Sequence, residues 1–407
     1  MLDSRLLIFA QIRSVAFACA SSLFLNAGGL PQPLWTGSRY SDQDRDRAVE
    51  RGLQFVAKIA DDPDNFREWG HDLLWCFYSI GATAKNPKLR AMARAIGEER
   101  ARQWMRDHPE PPADDAGELS DFVFGADTAR RLGVPDNGLR ERVRQAAARY
   151  SAVDFLDFDP AKEPPPSDVP RECPKCQYQN RRGVLKCEKC NTELSFHSRY
   201  EVWRDALIAT YTGDVYGVKL GASYDDVLRW ITVMRPYPTV EQVGFREAGH
   251  VVYAITHVVY TLNDYGRYRL SPAWLPEEFE YLKTYLSEAA KENDPEMLGE
   301  FMDTLRAFGL SEKDALIRVG VEYQLAHQNP DGSWGDMQDN IYSRYHSTWT
   351  AVDGLREYRF RGERLRRPEL MAIIQPRGKL LRGKGSRLLL PKHGAAGDLL
   401  GFRIEIR

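Results

Sequence analysis

The sequence lacks an excess of charge of either sign. It contains 56 Lys and Arg residues against 58 Asp and Glu residues in 407 positions, so its net charge is −2. Proteins that bind nucleic acid need a basic surface, and this balance gives no reason to expect a nucleic-acid partner. The local exception is residues 377–407, where eight Lys and Arg residues accompany only Asp398 and Glu405. This composition predicts a solvated or partner-docking tail.

Long uncharged apolar runs are absent after the first thirty residues, which predicts a soluble body. The N-terminus differs. The run "SVAFACASSLFLNAG" at residues 14–28 follows Arg5 and Arg13 and resembles a secretory signal or a membrane anchor. A first helix is the alternative interpretation of the same run. Export or membrane association through residues 1–28 and residence in the cytoplasm therefore stay equally open.

Cysteine is scarce outside one cluster. Two CxxC units occur in "CPKCQYQNRRGVLKCEKC", and they consist of Cys173, Cys176, Cys187 and Cys190. Such units can place four thiolates tetrahedrally around one metal ion. Zinc is favoured, and iron is the alternative because the same ligands hold both metals. Four thiolates leave no open coordination position, so the predicted role of the metal is structural.

The cysteine cluster resembles a zinc ribbon, because the residues within its CxxC units are polar or proline: Pro174, Lys175, Glu188 and Lys189. The Pro-rich stretch "DFDPAKEPPPSDVP" precedes it and predicts an extended spacer. We therefore interpret the cluster as a small module inserted into a larger domain. It can also serve to dock a protein partner, and in an exported chain two disulfides are the alternative to a metal.

Six apolar, aromatic-rich segments run towards a glycine: Gly70–Gly81, Glu118–Gly133, Tyr200–Gly221, Arg246–Gly266, Glu296–Gly309 and Ser343–Gly354. More polar helical segments alternate with them: Pro87–Asp107, Asn137–Ala152, Tyr224–Arg235, Pro276–Asn293 and Ser311–Gln328. Glycine is the expected stop after an apolar helix. Helices that are apolar nearly all round belong inside a fold, and helices with one polar face belong outside. The alternation predicts an all-α protein in which the pairs close into a double ring.

The predicted organisation has five parts. A signal or anchor segment covers 1–28, and the first part of the helical domain covers 46–156. The linker and four-cysteine module cover 157–195, the second helical part covers 196–361, and the basic tail covers 362–407.

The stretch "LAHQNPDGSWGD" resembles the QW repeat of squalene/hopene cyclases and the related repeat of protein prenyltransferase β-subunits. Gln328, Asp331, Gly332 and Trp334 match the repeat, and "YHSTWTAVDGL" is similar to the inner helix that follows it. The clear similarity covers Val321–Tyr358. It implies an (α/α)6 toroid, that is, a terpenoid cyclase-like or prenyltransferase-like fold. The turn itself has a structural interpretation, in which Gln328 bonds backbone groups at a helix end and Gly332 takes a positive φ.

Candidate chemistry follows from counting back from the terminal glycines. His71, His257, Glu300 and His346 lie eight to ten residues before Gly81, Gly266, Gly309 and Gly354 respectively, and His250 lies two turns before His257. Equal heights on neighbouring inner helices predict a shared cavity. Imidazoles and a carboxylate there can bind a second metal, with His71 and His250 as cofactor ligands, or act as general acid and base. Tyr345 beside His346 adds a candidate Tyr/His proton-transfer pair.

The resemblance implies a role for one of these residues. In protein prenyltransferases the His of the matching motif is a zinc ligand, which makes His346 the leading candidate. The Asp-x-Cys unit that supplies another ligand in that family is absent from the sequence. In "FGADTA" only Asp127, Thr128 and Ala129 match the acidic cyclase motif, because Ala126 replaces its proton-donating Asp. The reaction of neither family is therefore predicted intact.

The predicted function is an enzyme with a His-centred, metal-bound or metal-free site that acts on a hydrophobic, isoprenoid-like small molecule in a central cavity. Aromatic residues on the inner helices suit such a substrate. One alternative is a non-enzymatic binding or scaffold protein that engages a protein partner through the cysteine module. Another is an exported lyase or hydrolase of the α/α-toroid type, acting on glycans or other extracellular substrates.

Overall fold

The structure, a computed structural model, describes residues 40–375, and these residues fold into helices joined by turns. In chain order the helices are α1 (Asp42–Asp61), α2 (Pro63–Thr83), α3 (Pro87–Asp107), α4 (Ala116–Arg131), α5 (Leu139–Ala147), α6 (Ala152–Leu156), α7 (Arg199–Tyr216), α8 (Tyr224–Leu228), α9 (Ile231–Met234), α10 (Val240–Val243), α11 (Phe245–Leu262), α12 (Pro276–Lys291), α13 (Pro295–Ala307), α14 (Ala315–Ala326), α15 (Ile341–Leu355) and α16 (Met371–Ile374), with a 3₁₀ turn at Pro368–Leu370.

The prediction of an all-α protein is confirmed for this part of the chain, where β-structure is limited to isolated bridges. Between residues 40 and 375 no helix combines the length and the apolar character that crossing a bilayer would need. The proposed signal or anchor at 1–28 and the tail residues 376–407 lie outside the described residues.

Six helices that correspond to the apolar segments of the sequence contact one another in chain order. Helix α2 packs on α4, α4 on α7, α7 on α11, α11 on α13, and α13 on α15, and α15 in turn contacts α2. The polar helices pack against this set: α3 contacts α2 and α4, α12 contacts α13, and α14 contacts α13 and α15. Helix α1, which the sequence analysis did not single out, lies against α15 and α2.

Local sequence accounts for where these helices begin. The side chains of Ser41, Asp62, Asn86 and Ser198 each accept a hydrogen bond from a backbone N–H of the first turn that follows. Ser41 and Ser198 also form reciprocal capping boxes with the third helical residue. These caps satisfy backbone donors that a helix cannot satisfy itself, so the local sequence defines where these helices begin.

Three of the predicted glycine stops are wrong. Gly81 and Gly354 lie inside α2 and α15, and α7 ends at Gly217 and not at Gly221. Gly133, Gly266 and Gly309 follow their helices with positive φ as predicted. The reason at Gly354 is packing, because a Cβ there would lie 2.9 Å from the carbonyl oxygen of Gly299. This glycine therefore permits close helix approach and does not end a helix.

Two boundaries also differ from the prediction. The polar segment 224–235 is divided into α8 and α9, and residues 362–375 do not behave as a free tail. Leu365, Leu370 and Ile374 are buried, and the guanidinium group of Arg366 lies over the rings of Tyr211 and Tyr224, at 4.7 and 4.9 Å from their centroids. The helical body thus extends to residue 375.

The QW-like turn connects three helices. The Gln328 side-chain amide donates to the carbonyl of Ala48 on α1 (2.9 Å) and to that of Gly332 (3.0 Å). Trp334 is fully buried, and its Nε1 donates to the carbonyl of Gln324 on α14 (2.7 Å) while its backbone N–H donates to Thr348 Oγ1 on α15 (3.0 Å). The predicted positive φ of Gly332 is confirmed, whereas Gln328 bonds carbonyl groups of the turn and of α1 and not those at the end of α14.

We predict that Gly332→Ala lowers the free energy of unfolding by more than Gly309→Ala. Both residues have similar positive φ, 96° and 94°, so both substitutions cost about 1 kcal/mol of backbone strain. Only at Gly332 would the new Cβ meet backbone, at 2.7 Å from the carbonyl oxygen of Arg51. Urea unfolding followed by circular dichroism measures the difference, and equal losses in the two variants would contradict the role of this contact.

Candidate functional site

A cavity of about 490 Å³ opens among the first turns of α7, α11, α13 and α15. We call it the outer cavity. Its wall is rich in charged residues, which include Arg171, Glu201, Arg204, Glu296 and Asp336, and it also contains His250. A volume of this size is typical of a small-molecule site.

A smaller recess of about 70 Å³ lies further along α11, α13 and α15, where α2 takes the place of α7 in the wall. Its ionisable wall consists of His257, Glu300, Asp303, His346, Asp353 and Arg356, and we call it the inner recess. Glu300 follows Glu296 by one helical turn on α13, so one face of that helix lines both spaces.

His346, which lines the inner recess, contacts Glu296, which lines the outer cavity. His346 Nδ1 lies 3.1 Å from Glu296 Oε1, and the imidazole stacks on Tyr342 with ring centroids 5.5 Å apart. Burial alone would lower the pKa of His346, but the charges of Glu296, Asp72 and Glu300 outweigh it and raise the pKa to about 9. The pair is therefore an imidazolium–carboxylate contact at neutral pH.

Glu296 stays ionised because other donors surround it. Tyr253 Oη donates to its Oε1 at 2.9 Å, and Ser347 Oγ donates to its Oε2 at 3.2 Å. Burial would raise the pKa of Glu296, and His346 together with these hydroxyl groups lowers it below the usual value.

His257 has the opposite electrostatic environment. Its Nδ1 lies 2.7 Å from the carbonyl oxygen of Tyr253, so Nδ1 carries the proton that it donates to that oxygen. Burial, with the nearby positive charge of Arg204, lowers the pKa of His257 to about 3. His257 is consequently neutral at physiological pH, and its Nε2 is an acceptor.

Two carboxyl groups of the inner recess hold protons unusually tightly. Burial raises the pKa of Glu300 to about 7, even though Thr256 Oγ1 donates a hydrogen bond to its Oε2 at 2.6 Å. Burial and the neighbouring carboxylate of Asp353 also raise the pKa of Asp303 well above its usual range. A carboxyl group with a pKa near the working pH can both give and accept a proton.

The structure does not bring all the predicted site residues into one space. His257, Glu300 and His346 line the inner recess, whereas His250 lines the outer cavity. His71 lies between α2 and α4, with its Nε2 4.0 Å from Asp121 Oδ1, and lines neither space. Because α2 continues past Gly81 to Thr83, counting from that glycine misjudged the height of His71. Trp75 and Ser79 are the α2 residues that reach the recess.

Tyr345 is also placed elsewhere. It is fully buried, its hydroxyl donates to Asp72 Oδ2 at 2.9 Å, and it lines neither the outer cavity nor the inner recess. Tyr342, one helical turn before His346, is the tyrosine that contacts the imidazole. The geometry therefore supports a structural role for Tyr345.

Sequence reasoning missed Glu296, Asp303 and Asp353. The signal was present on α13, where Glu296, Glu300 and Asp303 recur at i, i+4 and i+7 in an otherwise apolar helix. Carboxylates at that spacing lie on one face, and an apolar helix has no structural reason to carry them there. The acidic "FGADTA" motif has a structural role, because Asp127 is buried and contacts Arg130 and Arg131.

The four clustered cysteines converge. Their Sγ atoms all lie within 4.8 Å of one another, with Cys173 and Cys190 3.4 Å apart and Cys176 and Cys187 3.5 Å apart. A disulfide would need about 2.05 Å, whereas sulfur ligands around a tetrahedral zinc ion are about 3.8 Å apart. The donor set thus fits a tetrahedral metal ion.

Matching turns present the cysteines in pairs. In each CxxC unit the residue after the second cysteine has a positive φ, which is 56° at Gln177 and 59° at Asn191. The N–H of Gln177 donates to the carbonyl of Cys173, and the N–H of Asn191 donates to that of Cys187, both at 2.8 Å. Between residues 40 and 375 the cysteines are the sole group of three or more His, Cys, Asp or Glu ligands this close together. The histidines of the inner recess do not form such a group.

No protein-family model, no curated protein and no solved structure matches the chain. The resemblance to terpene cyclases and prenyltransferases rests on the residues of Val321–Tyr358 and stays a prediction.

We predict that His346 titrates near pH 9 in the folded protein and that His257 stays neutral above pH 5. Since the folded pKa of His346 exceeds its ordinary value of about 6.5, the stability it contributes is complete below that pH and is lost as the pH rises through 9. The stability difference between wild type and His346→Gln should therefore shrink by about 3 kcal/mol between pH 6 and pH 10.

Glu296→Gln supplies the matched test of this assignment. Removing the carboxylate leaves burial dominant, so the pKa of His346 should fall below 6.5. NMR titration of the ring signals measures both values. A midpoint near 6.5 in wild type and variant alike would contradict the ion pair.

We also predict one tightly bound metal ion per chain, held by the cysteines. Replacing Cys173 and Cys190 with Ser should reduce the metal content of purified protein to near zero. The double variant His257→Ala, His346→Ala should keep it, because the histidines lie outside the cysteine cluster. Elemental analysis distinguishes zinc from iron, and loss of metal in the histidine variant would instead indicate a second site.

Proposed function

We propose that this protein is an enzyme that transfers protons to and from a polar, hydroxyl-rich substrate, such as a glycan, in a hydrolysis or elimination reaction. The observation that carries the proposal is the inner recess, where His257, Glu300, Asp303 and His346 from three helices line one space. Perturbed ionisable groups that share a cavity are typical of active sites. A purely structural core would exclude them, because burying charge is costly.

The charged wall of the outer cavity supports a polar substrate. Guanidinium groups of Arg171 and Arg204 and carboxylates of Glu296 and Asp336 would each lose water if an apolar chain filled the space, with no hydrogen bond in return. Hydroxyl groups of a glycan can replace that water. The charged wall therefore favours the lyase or hydrolase alternative over an isoprenoid substrate.

Each ionisable residue has a role in this proposal. Glu300, with a pKa of about 7, is the general acid or base. The His346–Glu296 pair keeps a positive and a negative charge fixed beside it, and neutral His257 offers Nε2 as an acceptor. Asp303, protonated at neutral pH, can donate a hydrogen bond to a substrate oxygen.

The proposal includes two assignments of architecture. The contact order of α2, α4, α7, α11, α13 and α15, with α15 against α2, supports the inner ring of an α/α toroid. The Sγ spacing of the four cysteines and the paired turns support a zinc ribbon that serves as a structural site.

One observation favours a second candidate. Five aromatic residues also line the inner recess: Trp75, Tyr260, Tyr265, Trp349 and Tyr358. Aromatic faces can stabilise a carbocation, and a protonated carboxyl group such as that of Asp303 can start its formation. Acid-initiated chemistry on an isoprenoid is therefore the second candidate function.

A substrate panel tests both candidates. Wild-type protein is incubated with neutral oligosaccharides, acidic oligosaccharides and farnesyl diphosphate, and the masses of the products are measured by mass spectrometry. Product masses that sum to the substrate plus one water indicate hydrolysis, and masses that sum to the substrate alone indicate elimination. Conversion of farnesyl diphosphate alone would favour the second candidate.

We predict that Glu300→Gln and His346→Gln each lower turnover by on the order of 100-fold, because both remove proton-transfer or charge-fixing groups. The matched control is His108→Gln, since His108 is a part-buried histidine that stacks on Trp104 away from the cavities. It should keep wild-type turnover. Full turnover in Glu300→Gln would contradict the assignment of the inner recess as the active site.

A further inference from the structure

The cysteine module reaches the wall of the outer cavity through Arg171. Arg171 lies two positions before Cys173 and lines the outer cavity. Its Nε donates to the carbonyl of Phe196 at 3.1 Å, and its Nη2 donates to Glu201 Oε2 on α7 at 2.7 Å. One side chain thus joins both ends of the module to a central helix.

Glu201 is the point where these contacts meet. It is 2% exposed, and its Oε2 also lies 3.3 Å from Nδ1 of His197, at the exit of the module. Its Oε1 lies 3.6 Å from Nδ1 of His250 on α11. Arg171 and His250 therefore contact different oxygens of the same buried carboxylate, and any rotation of that carboxylate changes both contacts.

The backbone at the base of the module fixes the position of Arg171. The N–H of Arg171 donates to the carbonyl of Ser195, and the N–H of His197 donates to the carbonyl of Val169, each at 2.8 Å. Beyond this pairing the module has little apolar material to bury, and Leu185 is 68% exposed. A segment without a core depends on its metal for folding.

We propose that the cysteine module, closed by its metal, positions Arg171 against Glu201 and thereby fixes the orientation of His250 in the outer cavity. Arg171 is a positioning residue in this scheme. The inference deepens the proposed function, since it makes the organisation of the cavity wall depend on metal loading. The contact from Arg171 to Glu201 and on to His250 is testable without a substrate.

The experiment observes the ring signals of His250 by NMR, assigned with a His250→Gln variant. Four samples are compared, each with zinc and after removal of zinc by a chelator: wild type, Arg171→Ala, Arg171→Lys and Arg181→Ala. Arg181 is the matched control, because it is an exposed arginine of the same module that pairs with Glu188 and lies outside the cavity wall.

In wild type and Arg181→Ala, zinc removal should shift the His250 signals. In Arg171→Ala the zinc-loaded protein should already show that shift, and removing zinc should add nothing further. Arg171→Lys should restore part of the wild-type signal, because an ammonium group can pair with Glu201 but cannot also reach Phe196 in the same fork geometry.

Two results would overturn the inference: unchanged His250 signals on zinc removal in wild type, or a full additional shift in Arg171→Ala. If circular dichroism shows that zinc removal unfolds the helices, only the zinc-loaded samples are compared. His250 signals in Arg171→Ala that equal those of wild type would then reject the proposal. If Glu300→Gln loses turnover but the His250 signals do not respond to zinc removal or to Arg171→Ala, this inference is rejected and the proposed function stands.

Discussion

The arrangement of the site depends on the close contact between α13 and α15. A Cβ at Gly299 would lie 2.4 Å from backbone of Thr350, and one at Gly354 would lie 2.9 Å from the carbonyl oxygen of Gly299. Side chains larger than hydrogen cannot occupy these positions without separating the helices. The acidic face of α13 is therefore held directly against the face of α15 that carries His346, and the Glu296–His346 contact follows from it.

Burial then gives neighbouring groups different protonation states. His346, beside the carboxylate of Glu296, holds its proton, whereas His257, bonded to a backbone carbonyl and near Arg204, loses it. Glu300 lies between these extremes, with a pKa of about 7. Proton donors and acceptors thus coexist at one pH, as proton-transfer chemistry requires.

The cysteine module also contributes a charged residue to the wall of the outer cavity. It interrupts the helical domain between α6 and α7. At its base, however, Arg171 donates a hydrogen bond to Glu201 on the central helix α7. If the cysteines bind a metal ion, that ion would help to fold the segment and, through Arg171, would also act on the wall of the outer cavity. The buried Glu201 carboxylate contacts Arg171 of the module and His250 of α11 at once.

The sequence by itself determined the helices, through caps such as that of Ser198, and the convergence of the cysteines, through the CxxC spacing. It also determined the turn at Gly332, because that turn depends on local backbone geometry. Only the tertiary structure decided which histidines share a recess, since one residue of helix register turns a side chain by about 100°. His71 was misplaced along the axis of α2, because it lies one turn before Trp75, which reaches the recess. The Glu296–His346 pair, which joins positions far apart in the chain, required the packing of α13 on α15.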